Sequence, residues 1–482
     1  MIEEIEFENF RNIKGIYILN KKLSVIVGKN NSGKTNFLDG IRLAFSAING
    51  EYFKIKKSDF YDSNDSNPIV IKVKLSHNDV PSLNYLNAEG EYECGFIVYV
   101  TRTRNGRYER KVKMYNGCDV DYDILRDDPK IPNLYMIPLI RVDDLYTEWL
   151  TAGITKFIES EEKYSSLMLD SKEKIKVSMS DKIAKFKEFC KRFNQDLDVE
   201  LTEPKITDEK VYIVDGNKEH NYCISSGYKS IANIILNSMD ENYSIILMDE
   251  IENHLHPSLL RNLIKEIRTM NSVTQIITTS HSPIVVNEVL SDEIIDISGI
   301  RLSDLSEENR KKIQKFLHPG RCEVVFGENI ILVEGITEEL LLKDYSNKHQ
   351  KNWTIVNVAG IMFEPYIELS LLLKKKLVVI SDTDILLNDD LTPTNRFKKL
   401  EEYCKKNKIK MLSMFNTLES DLFENKIISS DFLEWLQKAP NAEIYVAKNG
   451  KKTLITEKII ESNIDLSDWH IIKEIENEFE SH

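Results

Sequence analysis

The sequence predicts an α/β chain of two successive units, and three observations carry that prediction. An apolar stretch, "LSVIVG" (23–28), runs into a glycine-bearing loop, "GKNNSGKT" (28–35), and then into an amphipathic helix from Asn36 to about Ile48. Two further apolar runs end abruptly in polar residues, in "SIILMDEIENHLHP" (244–257) and "QIITTSHSP" (275–283). Well downstream the design recurs with carboxylates at the exits, in "IILVEGITE" (330–338) and "KLVVISDTDILL" (376–387). Short continuous apolar runs bounded by turn residues are what strands buried on both faces of a parallel sheet look like.

The other elements follow in order. "IEEIEFENF" and "GIYIL" alternate as strands do, and so do "IVIKVKL", "GFIVYVTRT" and "RKVKMY" between 69 and 115, which predicts an antiparallel sheet. "LYMIPLIRV" (134–142) reads as another strand. From Asp144 to about Asp196 the spacing turns helical, through Leu145, Trp149, Ile154 and Ile158 and again through Ile183, Phe186 and Cys190. We read a helical hairpin there, either a packed lid or a dimerisation arm, with the arm preferred. Strand and helix alternate from 211 to about 300. The charged stretch "RLSDLSEENRKKIQKF" (301–316) then separates off a second α/β segment, as a spacer between the two. The expected organisation is one domain from 1–142 and 205–300, a helical insert at 143–204, and another domain at 318–482.

Composition narrows the classes. With 482 residues, 41% hydrophobic and 29% charged, the chain can bury more than one core and stay soluble. Its six cysteines are scattered with no CxxC pair, which argues for a reducing compartment and against structural zinc. No basic-led apolar leader opens the chain and no apolar run reaches about 18 residues, so a cytoplasmic protein with no membrane partner is expected. The net charge of −14 is not that of an obvious nucleic-acid binder, but the local field decides.

"GKNNSGKT" fits G-x-x-x-x-G-K-[ST] between a strand and a helix, the context in which that motif cradles phosphates. Gly28 and Gly33 allow the tight loop, whose backbone N–H groups face the phosphates together with the helix N-terminus. Lys34 would reach the β- and γ-phosphates and the Thr35 hydroxyl would bind Mg²⁺. Asn30 and Asn36, in and just after the loop, complete the expected ATP-binding set. Asp249, at the exit of the Ile245–Met248 run, would hold Mg²⁺ through water, and Glu250 would polarise the attacking water. His281 would bond the γ-phosphate.

Further residues resemble known families. "CISSGYKSIANIIL" (223–236), upstream of the Asp249 strand, resembles the signature motif of ATP-binding-cassette (ABC) ATPases, with Tyr228 departing from the usual pattern. The resemblance implies that Ser226 and Gly227 contact nucleotide held by a second subunit, hence a dimer closed by two-fold symmetry. "IEFENFRNIKG", including Asn9, Phe10 and Arg11, resembles the first strands of RecF/SMC-like members of that group. Those ATPases place a Mg²⁺-sensing Gln after the first helix; no Gln precedes Gln195 here, so either Asp59 or a neighbour stands in, or the loop does not gate hydrolysis in the usual way.

In the second unit Glu334, Glu338, Asp382, Asp384 and then Glu419 and Asp421 of "LESDLFE" (418–424) stand at the exits of strand-like or turn segments. Parallel strands line such residues along one sheet edge, where carboxylates repel unless hard cations such as Mg²⁺ or Mn²⁺ neutralise them. Glu339 reads as the solvent-facing start of a helix.

Glu-Gly at one strand end and Asp-x-Asp at another resemble the TOPRIM domain, over about 322–425. A cassette ATPase followed by TOPRIM resembles the OLD (overcoming lysogenisation defect) nuclease family, which includes the nuclease subunit of Gabija-type antiphage systems. "ENHLHP", "TTSHSP", "VNVAG" (356–360) and "TLESDL" (417–422) fit as well. The resemblance implies metal ligation by Glu334, Glu338, Asp382, Asp384 and Glu419, and a charge-stabilising lysine in "VAKNGKKTL" (446–454), where Lys451 or Lys452 is preferred over Lys448. It implies DNA as substrate, a homodimer or larger homo-oligomer, and a partner defence protein such as a helicase or reverse-transcriptase component. Lysines at 374–376, 398–399, 405–406, 408 and 410 could track a phosphate backbone beside the site. Two other readings stay open: a RecF/SMC-like DNA-bound structural ATPase with an inactive TOPRIM scaffold, and a sensor ATPase recruiting a separate effector.

Overall fold

The computed structural model describes residues 1–76, 80–87, 89–120, 134–137, 188, 197–201, 211–215, 231, 234, 244–253, 255–269, 274–316, 319–360, 362–385, 392–429 and 452–480. The chain forms two compact units, Met1–Arg301 and Leu302–His482.

The first unit opens with β1 (Ile2–Phe10), β2 (Ile13–Ile18) and β3 (Leu23–Val27). It continues with β4 (Ile69–Leu75), β5 (Asn84–Leu86), β6 (Tyr92–Arg102), β7 (Tyr108–Met114), β8 (Leu134–Ile137), β9 (Leu197–Leu201) and β10 (Val211–Asp215). β11 (Ile245–Met248), β12 (Gln275–Ser280) and β13 (Ile294–Asp296) close it. β1, β2, β4, β5, β6 and β7 form an antiparallel sheet. In β1 the apolar Ile2, Ile5, Phe7 and Phe10 turn inward while Glu8 is exposed.

The other sheet runs β13-β3-β12-β11-β8 and is parallel throughout. Every residue of β3, β11 and β12 is buried: β11 is an unbroken apolar run, β3 is broken only by Ser24, and β12 buries Gln275, Thr278, Thr279 and Ser280 beside Ile276 and Ile277. Between the sheets lies the helix Lys34–Ile48, whose Phe37, Leu38, Ile41, Ala44, Phe45 and Ile48 join the core of β1, β4 and β6 residues. At Gly40 this helix passes so close to β1 that a Cβ would lie 2.4 Å from Phe7 Cε1.

Two expectations change here. Leu197–Leu201, placed in the helical insert, is strand β9, paired antiparallel with β10. Its alternation of Leu197, Val199 and Leu201 with Asp198 and Glu200 has the period of a strand. The charged stretch 301–316 is not a simple spacer: its Glu307–Phe316 helix belongs to the second unit. There Glu368 accepts from Ser306 N (2.6 Å), Ser306 Oγ (2.7 Å) and the Asn309 amide. Most of the expected helical insert, at 143–187 and 189–196, lies outside the described residues.

The second unit is a parallel sheet of β14 (Asn329–Val333), β15 (Trp353–Asn357), β16 (Lys376–Asp382) and β17 (Lys410–Met414), in the order β15-β14-β16-β17. The chain moves from β14 to one side for β15, then crosses back for β16. That reversal makes the carboxyl ends of β14 and β16 the switch point at which open α/β sheets bind ligands. Among the described residues no helix is long and apolar enough to cross a membrane.

The Gly40 contact yields a direct test. Gly40→Val would regain a little helix propensity but drive two methyl groups into Phe7 and Phe10. Overpacking of this kind costs about 1–3 kcal/mol and outweighs the propensity gain. The midpoint of urea unfolding, followed by circular dichroism, should fall accordingly.

Candidate functional site

In the first unit, parallel register brings three strand exits together. Ser280 pairs with Val27 and Met248 with Thr278, so the 28–35 loop, Asp249 and His281 meet at one edge. Gly33 has φ 108°, a left-handed conformation that suits glycine, and stands as the N-cap of the Lys34–Ile48 helix. Lys34 is buried and its Nζ donates to the carbonyls of Gly28 (2.9 Å) and Lys29 (2.6 Å), bracing the loop from inside. Burial pulls its pKa below the usual lysine value, while Glu250, Asp249 and Glu252 push the other way. Thr35 Oγ1 donates to Asp249 Oδ2 at 2.8 Å, so the two expected Mg²⁺ contacts are already adjacent. Asn30 is exposed on the loop. Asn36 accepts from Arg11 and donates to Asn12 (both 2.7 Å), and Asn12 in turn donates to Ser32 O of the loop.

Sequence reasoning passed over two residues here. Thr279 Oγ1 donates to Asp249 Oδ1 and accepts from Glu250 N (2.8 Å), locking the two acids relative to each other while Glu250 holds φ 54°. Glu252 Oε1 accepts from Ser280 Oγ (3.0 Å) and His281 N (2.9 Å) and lies 3.4 Å from His281 Nδ1. Burial raises the Glu252 carboxyl above its ordinary range, opposed by those hydrogen bonds. Thr279 is one of four polar residues in β12 and Glu252 one of several in a polar loop, so neither stands out before the fold places it. Asp59, the expected stand-in for the missing Gln, is buried and accepts from Arg11 Nε (2.9 Å) and Lys56 N (2.8 Å). Ser226 and Gly227 lie outside the described residues.

In the second unit Glu334 follows β14, Asp382 ends β16 and Asp384 stands just beyond it with φ 49°. Glu334 Oε2 accepts from Ser381 Oγ at 3.2 Å and pairs with the Arg396 guanidinium. Glu338 is 3% exposed in the first turn of the Ile336–Lys348 helix, and its Oε2 accepts from Thr337 Oγ1 at 3.1 Å. Glu339 pairs with Lys343 one turn on. Glu419, in the Leu418–Glu424 helix after β17, is 2% exposed, and neither of its carboxylate oxygens has a hydrogen-bond partner. Asp421 is equally buried but saturated, accepting from Phe415 N and Trp469 Nε1, both at 2.7 Å.

The donor chemistry fits a hard cation: carboxylates gathered at one edge, one of them buried with both oxygens unsatisfied. The arrangement is not a ready cage, since among the described residues no three His, Cys, Asp or Glu side chains are grouped to hold a metal. Lys448 and Lys451 lie outside the described residues, and Lys452 opens the Lys452–Glu461 helix. The expected basic track is thinner than its count suggests. Lys376 donates to Phe479 O, Lys405 pairs with Glu401 and Lys410 with Glu474.

A phosphate-loop unit followed by a parallel sheet with an acidic carboxyl edge defines an ATPase–TOPRIM protein. Comparison agrees: a model of the AAA ATPase domain matches residues 1–235, and one of the TOPRIM domain of overcoming lysogenization defect-like proteins matches 325–384. The chain therefore carries an AAA ATPase domain and an OLD-like TOPRIM domain.

It is 26% identical over 204 residues to endonuclease GajA of Bacillus cereus (strain HuB5-5), covering 34% of this chain and 29% of that one. To GajA of Bacillus cereus (strain VD045) it is 22% identical over 419 residues, covering 75% and 71%. To the Old nuclease of Escherichia phage P2 it is 22% identical over 416 residues, covering 71% and 69%. Among solved structures, the Smc head bound to the C-winged helix domain of ScpA is 17% identical with a TM-score of 0.48, over 65% of this chain and 99% of that one.

Two neighbouring acids should behave oppositely. Asp421→Ala strands the buried Trp469 indole N–H and the part-buried Phe415 N–H and should cost about 1–3 kcal/mol. Glu419→Ala removes a buried carboxylate with no hydrogen bonds and should leave stability unchanged or higher. Urea unfolding of both variants, followed by circular dichroism, checks the contrast.

Proposed function

We propose that this chain is an ATP-binding, divalent-metal-dependent DNA endonuclease whose cutting is regulated by nucleotide, acting in antiphage defence as a homodimer or larger assembly. The observation that carries the reading is the acidic edge at the β14/β16 switch point, with Glu419 buried beside it and unsatisfied. Glu334, Glu338, Asp382, Asp384 and Glu419 would hold Mg²⁺ or Mn²⁺. Bound there, the cation supplies Lewis-acid stabilisation of charge on a phosphodiester. Ser381 and Arg396 orient Glu334, and a lysine of the 448–452 stretch would offset phosphate charge. In the first unit Lys34 and the loop amides would bind the ATP phosphates, Thr35 and Asp249 its Mg²⁺, Glu250 would orient water, and Glu252 would hold His281 toward the γ-phosphate. The GajA and Old relatives bear nuclease names, which supports the DNA-cutting reading. A partner defence protein fits the same reading.

One observation favours a second reading. Glu334 is already neutralised by Arg396, and no three-ligand metal group stands among the described residues. On that view the acidic edge is a relic and the chain is a DNA-bound structural ATPase.

Supercoiled plasmid incubated with Mn²⁺, with and without ATP, separates them. Wild type should nick or linearise the plasmid. Glu334→Ala and Asp382→Ala should each lower the rate at least about 100-fold, on the order of losing one key electrostatic contact, while still binding ATP. Lys34→Ala should lose ATP binding. Undiminished cutting by both carboxylate variants would overturn the nuclease assignment.

A further inference from the structure

Arg396 is an odd residue for its place. It is the second residue of the Asn395–Lys406 helix, after the N-cap Thr394, and no acid occupies that first turn. A cation there opposes the helix dipole, whereas Lys405 and Lys406 in the last turn agree with it. The helix does not explain Arg396; its partner does. The guanidinium reaches out of the helix start to Glu334 Oε2, the oxygen that also accepts from Ser381. The pair bridges the helix and the exit of β14. A second sign that this edge is built for a cation is the carboxylate of Glu419, in the helix that follows β17, 2% exposed with both oxygens lacking hydrogen bonds.

The strength of the pair matters. The Arg396 side chain is 40% exposed and that of Glu334 18%. Ion pairs this open to water contribute about 1 kcal/mol or less, so a divalent ion at the acidic edge can displace the guanidinium.

We propose that Arg396 is a resident cation of the TOPRIM edge. It neutralises Glu334 until a divalent metal takes that carboxylate, and so it sets the affinity of the site for metal. The proposal rests on the metal-dependent reading above. Arg396 is here a positioning residue acting through Glu334.

The test is Mn²⁺ binding to the full chain without nucleotide or DNA, read as loss of the free Mn²⁺ signal in electron paramagnetic resonance. Arg396→Met should bind Mn²⁺ about fivefold more tightly than wild type, the factor that a pair of this exposure can supply. Arg396→Lys, keeping the charge, should stay within twofold of wild type. Lys398→Met removes a neighbouring exposed charge and should also stay within twofold. Unchanged or weaker binding by Arg396→Met, while Glu334→Gln loses binding, would overturn the proposal and leave the metal site standing. An equal gain from Lys398→Met would overturn it in favour of general charge. Equal binding by Glu334→Gln and wild type would overturn both the proposal and the metal reading beneath it.

Discussion

Parallel pairing of strands buried on both faces is the constraint from which the rest follows. β3, β11 and β12 admit no exposed residue, and in the second unit β14 and β16 bury all but their first. A strand of this kind has nowhere to put a charge except at its end. The pairings of Val27 with Ser280 and of Met248 with Thr278 then align the ends in space, so that groups far apart in sequence become neighbours. Thr35 bonding Asp249, 214 positions away, is one product. The approach of Glu334 to Ser381 is another.

The two edges use that constraint differently. In the first unit the acids are wired to neighbours before any ligand arrives. Asp249 receives Thr35 and Thr279, Glu250 receives Asn253, and Glu252 receives Ser280 and the His281 amide. Pre-organised polar groups of this kind lose little on binding, because their orientation is settled in folding. In the second unit the acids are less evenly satisfied. Asp421 is engaged by a backbone amide and an indole, Glu334 is held by a partly exposed guanidinium, and Glu419 has no hydrogen-bond partner. An edge with such unequal partners is closer to a binding surface than to a finished core.

Arg11 shows how the remote N-terminal strands reach the loop. Its guanidinium engages Asn36, Asp39 and Asp59, tying the β1–β2 turn to the helix that starts at the phosphate loop. Asn12 continues the path, receiving Asn36 and donating to Ser32 O. The residues that resembled a family signature thus have a physical task, which is to brace the loop. The same network engages the side chains of Asn36 and Asp59, two residues expected to serve nucleotide and Mg²⁺.

What the sequence determined by itself is the class of each element that buries a continuous or evenly periodic apolar set. β3, β11, β12, β14 and β16 were legible, as were the phosphate loop, its helix and the acids at the strand exits, because local pattern and burial coincide there. Leu197–Leu201 falls within the insert bounds although it forms a strand, because five residues of alternation are a weak signal. Only the tertiary structure decided which polar residues meet. Nothing local distinguishes Glu419 from Asp421, two positions apart on one helix turn. Trp469 and the Phe415 amide claim one and leave the other unsatisfied. Thr279, Glu252 and Arg396 are invisible for the same reason: hydrogen bonds and ion pairs depend on distance in space, which the packing of strands, helices and loops sets.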